Sequence, residues 1–166
     1  TRLPVTARTI IQGWLYGTEY LRMREQKFDQ MGNFTGNGDI GDLARSKMQL
    51  GLTASFDDKL IGTLRGRLIG NRIPIDTNPI RKINGYFTMD ASFTARDLVV
   101  KGLGLSLDIF NVLDLHYSQP GERSANAGDT PGSFDAAGVW HGSAGYDSSR
   151  LPQPGRAFLL SLRFDL

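Results

Sequence analysis

From Phe158 to Leu166 every second residue is large and apolar: Phe158, Leu160, Leu162, Phe164 and Leu166. Ala157, Leu159, Ser161, Arg163 and Asp165 fill the alternate positions. Successive side chains of a β-strand point to opposite faces. The stretch therefore reads as a strand with one apolar strip and one face that is small, polar or charged apart from Leu159. The strand is expected to close the chain, without a polar tail.

The same alternation recurs upstream. From Lys47 to Phe56, Met48, Leu50, Leu52, Ala54 and Phe56 share one phase, opposite Lys47, Gln49, Gly51, Thr53 and Ser55. From Tyr86 to Ala95, Phe87, Met89, Ala91, Phe93 and Ala95 oppose Tyr86, Thr88, Asp90, Ser92 and Thr94. From Leu103 to Phe110, Leu103, Leu105, Leu107 and Ile109 form the apolar phase. Between Leu60 and Asn71, Leu60, Leu64 and Leu68 are apolar, Gly62 and Gly66 complete their phase, and Thr63, Arg65 and Arg67 oppose them. Gly13 to Gln26 is expected to be a further strand of unclear phase, and Thr1 to Gln12 another. Helical periodicity is nowhere sustained. These runs span about ten residues, which at roughly 3.3 Å per residue and a tilt near 40° climb about 25 Å, the height of a membrane barrel's apolar band.

The connections supply an independent test. Asp57-Asp58-Lys59 and Arg96 to Gly102 are short, whereas Phe28 to Ser46, Arg72 to Gly85 and Asp114 to Gly155 are long, and the two kinds alternate. Outer-membrane barrels have short periplasmic turns and long outer loops. Residues 118 to 155 are rich in Gly, Ser, Asp and Pro. A connection of that length is expected to be functional or disordered in a soluble domain, and an outer loop explains it more simply.

Composition is consistent with this. The mean hydropathy of −0.26 is that of a water-soluble chain. Strands that meet lipid on one side and water on the other average to such a value. No run of about 18 apolar residues is present to make a transmembrane helix. The formal charge of +2 and the lack of a basic run give no sign of a nucleic-acid partner. The absence of Cys fits an exported protein without disulfides, as it fits many cytosolic ones. The start, Thr1-Arg2-Leu3-Pro4, is not a signal peptide, so any export signal is expected upstream or already removed.

Two resemblances sharpen the reading. The last strand is similar to the C-terminal strand of bacterial outer-membrane barrels that the barrel-assembly machinery recognises, although those end in Phe or Trp where this chain has Leu166. The run Ile83-Asn84-Gly85-Tyr86-Phe87-Thr88-Met89-Asp90-Ala91-Ser92-Phe93, then Lys101-Gly102-Leu103-Gly104-Leu105-Ser106-Leu107-Asp108-Ile109-Phe110-Asn111-Val112-Leu113-Asp114, resembles the C-terminal barrel of TonB-dependent outer-membrane receptors. That family carries a Gly-Tyr-x-x-x-Asp-Ala-Ser strand. A Gly-Leu-x-Leu-x-Leu strand follows, closing on Asn-Leu-Phe-Asp with a Tyr after it. Here the closing motif is Asn111-Val112-Leu113-Asp114, with Tyr117 beyond, and Pro152-Gln153-Pro154-Gly155-Arg156 precedes the last strand as in the family. The likeness covers Lys47 to Leu166 well and the first 46 residues loosely.

The resemblance implies an all-β fold: an antiparallel transmembrane β-barrel of about 22 strands around a plug domain, of which residues 1–166 would be the C-terminal portion, six to seven strands without the plug. It implies residence in the bacterial outer membrane and energised uptake of a scarce solute (an iron chelate, cobalamin or an oligosaccharide), not enzymatic activity. Its partners would be the remaining barrel strands and plug, TonB through the missing N-terminal part, the barrel-assembly machinery and the lipid bilayer, with no cofactor. An open sheet cannot stand alone in a bilayer, because its edges would leave backbone groups unpaired at several kcal/mol each. The rivals are a small complete outer-membrane barrel serving as an adhesin or lipid-modifying enzyme, a receptor-like barrel acting as a structural subunit of an envelope complex, and a soluble β-sandwich or ligand-binding barrel.

Candidate site residues follow from phase. Arg65, Arg67, Asp90, Asp108 and Arg163 lie on polar phases and are expected to line the lumen, touching plug or substrate. The plainer alternative is a hydrated wall whose ion pairs only hold the plug. The two arginines on one strand hint at an anionic ligand. Trp14, Tyr16 and Tyr20 are candidates for the aromatic girdles, whereas Tyr86, in phase with Asp90, fits the lumen better. Trp140, His141 and Tyr146 in the longest loop are candidates for ligand contact. No metal or catalytic pattern stands out. His116 and His141 are 25 positions apart, Asp129, Asp135 and Asp147 do not form a Ca²⁺ loop, and Gly36-Asn37-Gly38-Asp39 lacks the Lys-Ser/Thr of a phosphate loop.

Overall fold

Strand register turns the alternation of single strands into two continuous faces. The computed structural model describes residues 1–29, 31–75, 78, 80–97, 100–121, 133–137, 139–141 and 149–164, with the backbone alone at 133, 134 and 140. The strands are β1 (Arg2–Pro4), β2 (Thr9–Glu19), β3 (Arg24–Phe28), β4 (Phe34–Asp39), β5 (Ser46–Phe56), β6 (Leu60–Ile69) and β7 (Tyr86–Arg96). They continue with β8 (Leu103–Phe110), β9 (Ser118–Pro120), β10 (Ser133–Phe134), β11 (Trp140–His141), β12 (Arg150–Pro152) and β13 (Ala157–Phe164). Among the described residues no helix is long and apolar enough to cross a membrane, which says nothing about a β-barrel.

Seven strands form one antiparallel sheet in the order β1-β2-β5-β6-β7-β8-β13. Leu50 lies opposite Gly66, and Gly66 opposite Met89. Likewise Ala54 meets Gly62, Gly62 meets Phe93, Phe93 meets Leu107, and Leu107 meets Leu160. Because side chains alternate with period two, a slip of one residue at any pairing would mix the faces. None occurs in this sheet. One face is consequently apolar from Leu3 and Ile11 to Phe158, Leu160, Leu162 and Phe164, and the other gathers the polar and charged phases, with Ile10, Ile61, Ile69, Phe110 and Leu159 among them. The apolar face is uncovered: Leu15 is 65% exposed, Phe93 54% and Leu162 72%. A contiguous apolar surface of this kind marks a membrane or interaction face.

Three short turns, 5–8, 57–59 and 97–102, lie at one end of the sheet. The long connections, 20–45, 70–85 and 111–156, lie at the other. The short turns are tied to each other, with Asp57 N–H donating to Arg8 O and Arg96 N–H to Lys59 O at 2.8 Å each. The long connections carry their own small pairings: β3 with β4, β9 with β12, and β10 with β11. Here too is the tightest packing. Of the buried apolar residues Met23, Ala44, Ile83 and Ala91, only Ala91 belongs to a strand of the large sheet.

The first third departs from the sequence expectation. Thr1 to Gln12 is not one strand. It holds β1, a turn in which Thr6 Oγ1 accepts from Arg8 N–H (3.2 Å) and Thr9 N–H (3.0 Å), and the start of β2. β2 ends at Glu19, so the strand expected from Gly13 to Gln26 starts later and runs further than the real one. Its phase was hard to read because Gly13 and Gly17 occupy the apolar phase while Trp14 and Tyr16 stand on the polar one. The same register corrects the girdle assignment: Trp14 and Tyr16 lie on the polar face, away from the apolar strip.

Candidate functional site on the polar face

The register assembles the polar phases of neighbouring strands into rows. Trp14, Gly51, Arg65 and Asp90 form one row across β2, β5, β6 and β7. Tyr16, Gln49, Arg67 and Thr88 form the next. On the other side, Thr53 and Thr63 share a hydrogen bond of 3.1 Å between their hydroxyls. Together these groups enclose a cleft of about 450 Å³, lined by Trp14, Gln49, Thr53, Arg65, Arg67 and Asp90 among others. The indole of Trp14 lies over Gly51 and packs 5.1 Å from the ring of Tyr16. A flat aromatic wall thus faces two guanidiniums, a combination that suits planar or anionic groups.

The outer end of β8 explains the closing motif. Asn111 takes the left-handed conformation (φ 50°) that Asn tolerates better than most residues. Its N–H donates to Asp90 Oδ1 at 2.9 Å. Its buried side chain donates to Leu115 O (2.9 Å) and Pro154 O (3.4 Å) and accepts from Leu115 N–H (3.1 Å). Asp114, also left-handed at φ 52°, accepts from Arg156 N–H at 2.8 Å. Asn111 and Asp114 therefore staple the start of β13 to the end of β8 and tie both to Asp90. Tyr117 stacks on Tyr86 with ring centroids 4.1 Å apart. The Arg72 guanidinium sits 5.5 Å from the Tyr86 ring and donates to Ser118 O at 2.8 Å. Burial, aided by neighbouring Tyr86 and Asp90 and opposed by Arg67, pushes the Tyr117 phenol above its ordinary value.

Beyond this stack Asn78, 1% exposed, joins the two ends of the longest connection. Its side-chain amide donates to Gly121 O (2.9 Å) and Ser149 O (2.8 Å), while its Oδ1 accepts from Ile80 N–H (2.9 Å). Neither Arg72 nor Asn78 stood out in the sequence. The Asn78-Pro79 pair is a turn signal, but nothing local announces partners 43 and 71 positions away.

Arg65, Arg67, Tyr86, Asp90, Asp108 and Arg163 all lie on the polar face. They do not form one cluster. Arg163 pairs with Gly104 near the short-turn end, where Arg96 flanks the same glycine. Asp108 sits between Ser92 and Leu159. Of the outer-loop candidates, His141 Nε2 lies 2.9 Å from Asp135 Oδ2, in a hairpin that Asp135 also caps by accepting from Ala137 and Val139 N–H. The Trp140 side chain, Tyr146 and Leu166 lie outside the described residues. Among the described residues no three His, Asp or Glu gather as a metal site.

No protein-family model and no curated protein matches this chain. Among solved structures it is similar to the ferric-catecholate import receptor Fiu of E. coli K12 in its closed form, with a TM-score of 0.53 and 14% identity, over 98% of this chain. The chain spans 26% of that receptor. At this identity the likeness establishes the fold alone: an all-β antiparallel sheet with the architecture of part of a β-barrel.

Proposed function

We propose that residues 1–166 are the C-terminal segment of the barrel of a TonB-dependent outer-membrane transporter, whose other strands and plug lie elsewhere in the protein. The observation that carries this reading is a single seven-strand sheet whose register gathers every apolar phase on one uncovered face and every polar phase on the other. In the bilayer the apolar face meets lipid and the polar face lines the lumen. The edges of the sheet call for further strands, because unpaired backbone in hydrocarbon costs several kcal/mol per group. The long connections with the Tyr86–Tyr117 stack then face outward and the short turns face the periplasm, in keeping with the usual asymmetry of such barrels.

The work of such a protein is capture and admission, not bond making. Outer loops and plug hold a scarce solute, and energy delivered through TonB shifts the plug so that the solute passes the polar wall. An iron chelate is the first solute to try, given the fold likeness to a ferric-catecholate receptor and the arginines of the polar face. The test is the mass and heat-modifiability of the native polypeptide in purified outer membranes. A folded, heat-modifiable species of roughly 70 kDa is expected, since an 18.3 kDa chain spans 26% of the similar receptor. A stable folded species of 18.3 kDa would overturn the reading in favour of a small complete barrel.

A further inference from the structure

At the short-turn end of the polar face, Arg96, Gly104 and Arg163 form one row across β7, β8 and β13. The next row, Thr94, Ser106 and Ser161, sets hydroxyls side by side. Both rows line a cavity of about 390 Å³, within the range of small-molecule sites. The two arginines bound it from opposite flanks, one strand to either side of Gly104, with Cα atoms about 10 Å apart at roughly 4.8 Å per strand. Asp97 also lines the cavity, but its Oδ1 accepts from Gly102 N–H at 2.6 Å, which commits that carboxylate to the turn. Among the described residues no hydrogen bond or ion pair engages the Arg96 guanidinium or the hydroxyls of Thr94, Ser106 and Ser161.

Nothing in the backbone of Gly104 calls for glycine. Its φ is not positive, and a Cβ placed there would meet only Arg163 Cβ and O, at 3.8 Å each, which is ordinary contact. Gly51 differs, because the Trp14 indole fills the space above it. A glycine inside a strand costs stability and often marks the close approach of another group. At position 104 it leaves the floor of the cavity open between two guanidiniums. We infer that this end of the polar face is a binding site for a phosphate group, free or carried as a monoester on a small solute. Arginine forks pair with phosphate in bidentate geometry, and the row of Thr and Ser hydroxyls adds further donors. A planar carboxylate takes one fork along its edge, whereas a tetrahedral phosphate offers separate edges to two forks arriving from opposite sides. The volume also leaves room for the group that a monoester carries. The placement of the site rests on the barrel reading, in which the short turns face the periplasm and a solute leaving the lumen passes these residues. Its chemistry does not.

The test uses the full-length protein, folded in detergent and free of phosphate. It is titrated with inorganic phosphate and with glycerol phosphate while the heat of binding and the phosphorus NMR signal are followed. Saturable binding is expected, and the tighter of the two ligands tells free phosphate from a phosphorylated solute. Arg96→Gln/Arg163→Gln should weaken binding about tenfold or more, as the loss of charged hydrogen bonds implies. Gly104→Leu keeps every charge and fills the floor, so it should weaken binding to a similar extent, and heat-modifiability shows that both variants fold. The absence of saturable binding, or binding that neither variant weakens, overturns the inference. Acetate or a glutamate-rich peptide competing as well as phosphate overturns it in favour of a polypeptide on this face. The transporter reading fails separately, through a native mass of 18.3 kDa.

Discussion

Trp14 stands directly opposite Gly51 across β2 and β5, and its indole occupies the space that a side chain at position 51 would need. The pair joins a residue with no side chain to one with the largest, so the aromatic ring covers backbone that would otherwise be bare. Gly51→Val should therefore expel the ring and destabilise the protein by about 1–3 kcal/mol, with a red shift of tryptophan emission. In a Trp14→Ala background the same change should cost far less. Urea unfolding of the four proteins of this cycle measures the coupling, and additivity would show that the contact has no energetic weight.

Asn111 combines a left-handed backbone with side-chain hydrogen bonds to Leu115 and Pro154. Asn111→Ala should cost about 2–4 kcal/mol, from unsatisfied buried partners together with backbone strain. Asn111→Gly relieves the strain but not the lost bonds, so it should fall between Ala and wild type. Unfolding midpoints for both variants rank the two causes, and equal losses would rule out a part for the backbone.

The Tyr117 phenol has its pKa raised chiefly by burial, next by Tyr86. A raised folded-state pKa means that the folded form holds its proton more tightly than the unfolded form. The contribution of this group to stability is then full below the unfolded value near 10.0 and is lost as pH rises through the higher folded value. Tyrosinate absorbance should show one phenol that ionises late, and Tyr117→Phe should remove it. An unchanged late component would place the perturbed phenol elsewhere.

Asp57 and Asp58 both have positive φ, 51° and 54°, in the turn between β5 and β6. Asp57 also accepts an exposed ion pair from Arg8 at 3.7 Å, whereas Asp58 has no such task among the described residues. Asp58→Gly should accordingly stabilise the hairpin by about 0.5–1 kcal/mol, the lower left-handed strain outweighing the added freedom of the unfolded chain. A raised thermal midpoint of the folded band checks this, and a lowered one would mean that the Asp58 carboxylate makes a contribution of its own.

Strands with a strict apolar phase were legible residue by residue. Leu103 to Phe110 and Leu60 to Ile69 are bounded in the structure much as their alternation predicts. Their meeting in one register was implied by the common face but not written in any single strand. Legibility failed where Gly13 and Gly17 emptied the apolar phase of β2, and where β1 was too short at three residues to alternate visibly. The site divides the same way. Phase alone put Arg65 and Arg67 on one side of β6 and Asp90 on the polar side of β7, because period two is a local property, whereas the pairing of Arg65 with Asp90 comes from the register. The partners of Arg72 and Asn78 depend on how two long connections cross, and sequence separation hides that.

Asn78 holds Gly121 and Ser149 within reach of a single amide, and β9 and β12 close the strand pair just below them. The ends of the intervening stretch are thereby fixed from beneath, whatever lies between. Its ends are closed by Asn78 together with the pairing of β9 and β12 and the bond from Gly121 N–H to Ser149 O, so the stack of Tyr86 and Tyr117 does not depend on the composition between those ends. Exchanging that stretch for another sequence should leave the register of the sheet below it unchanged.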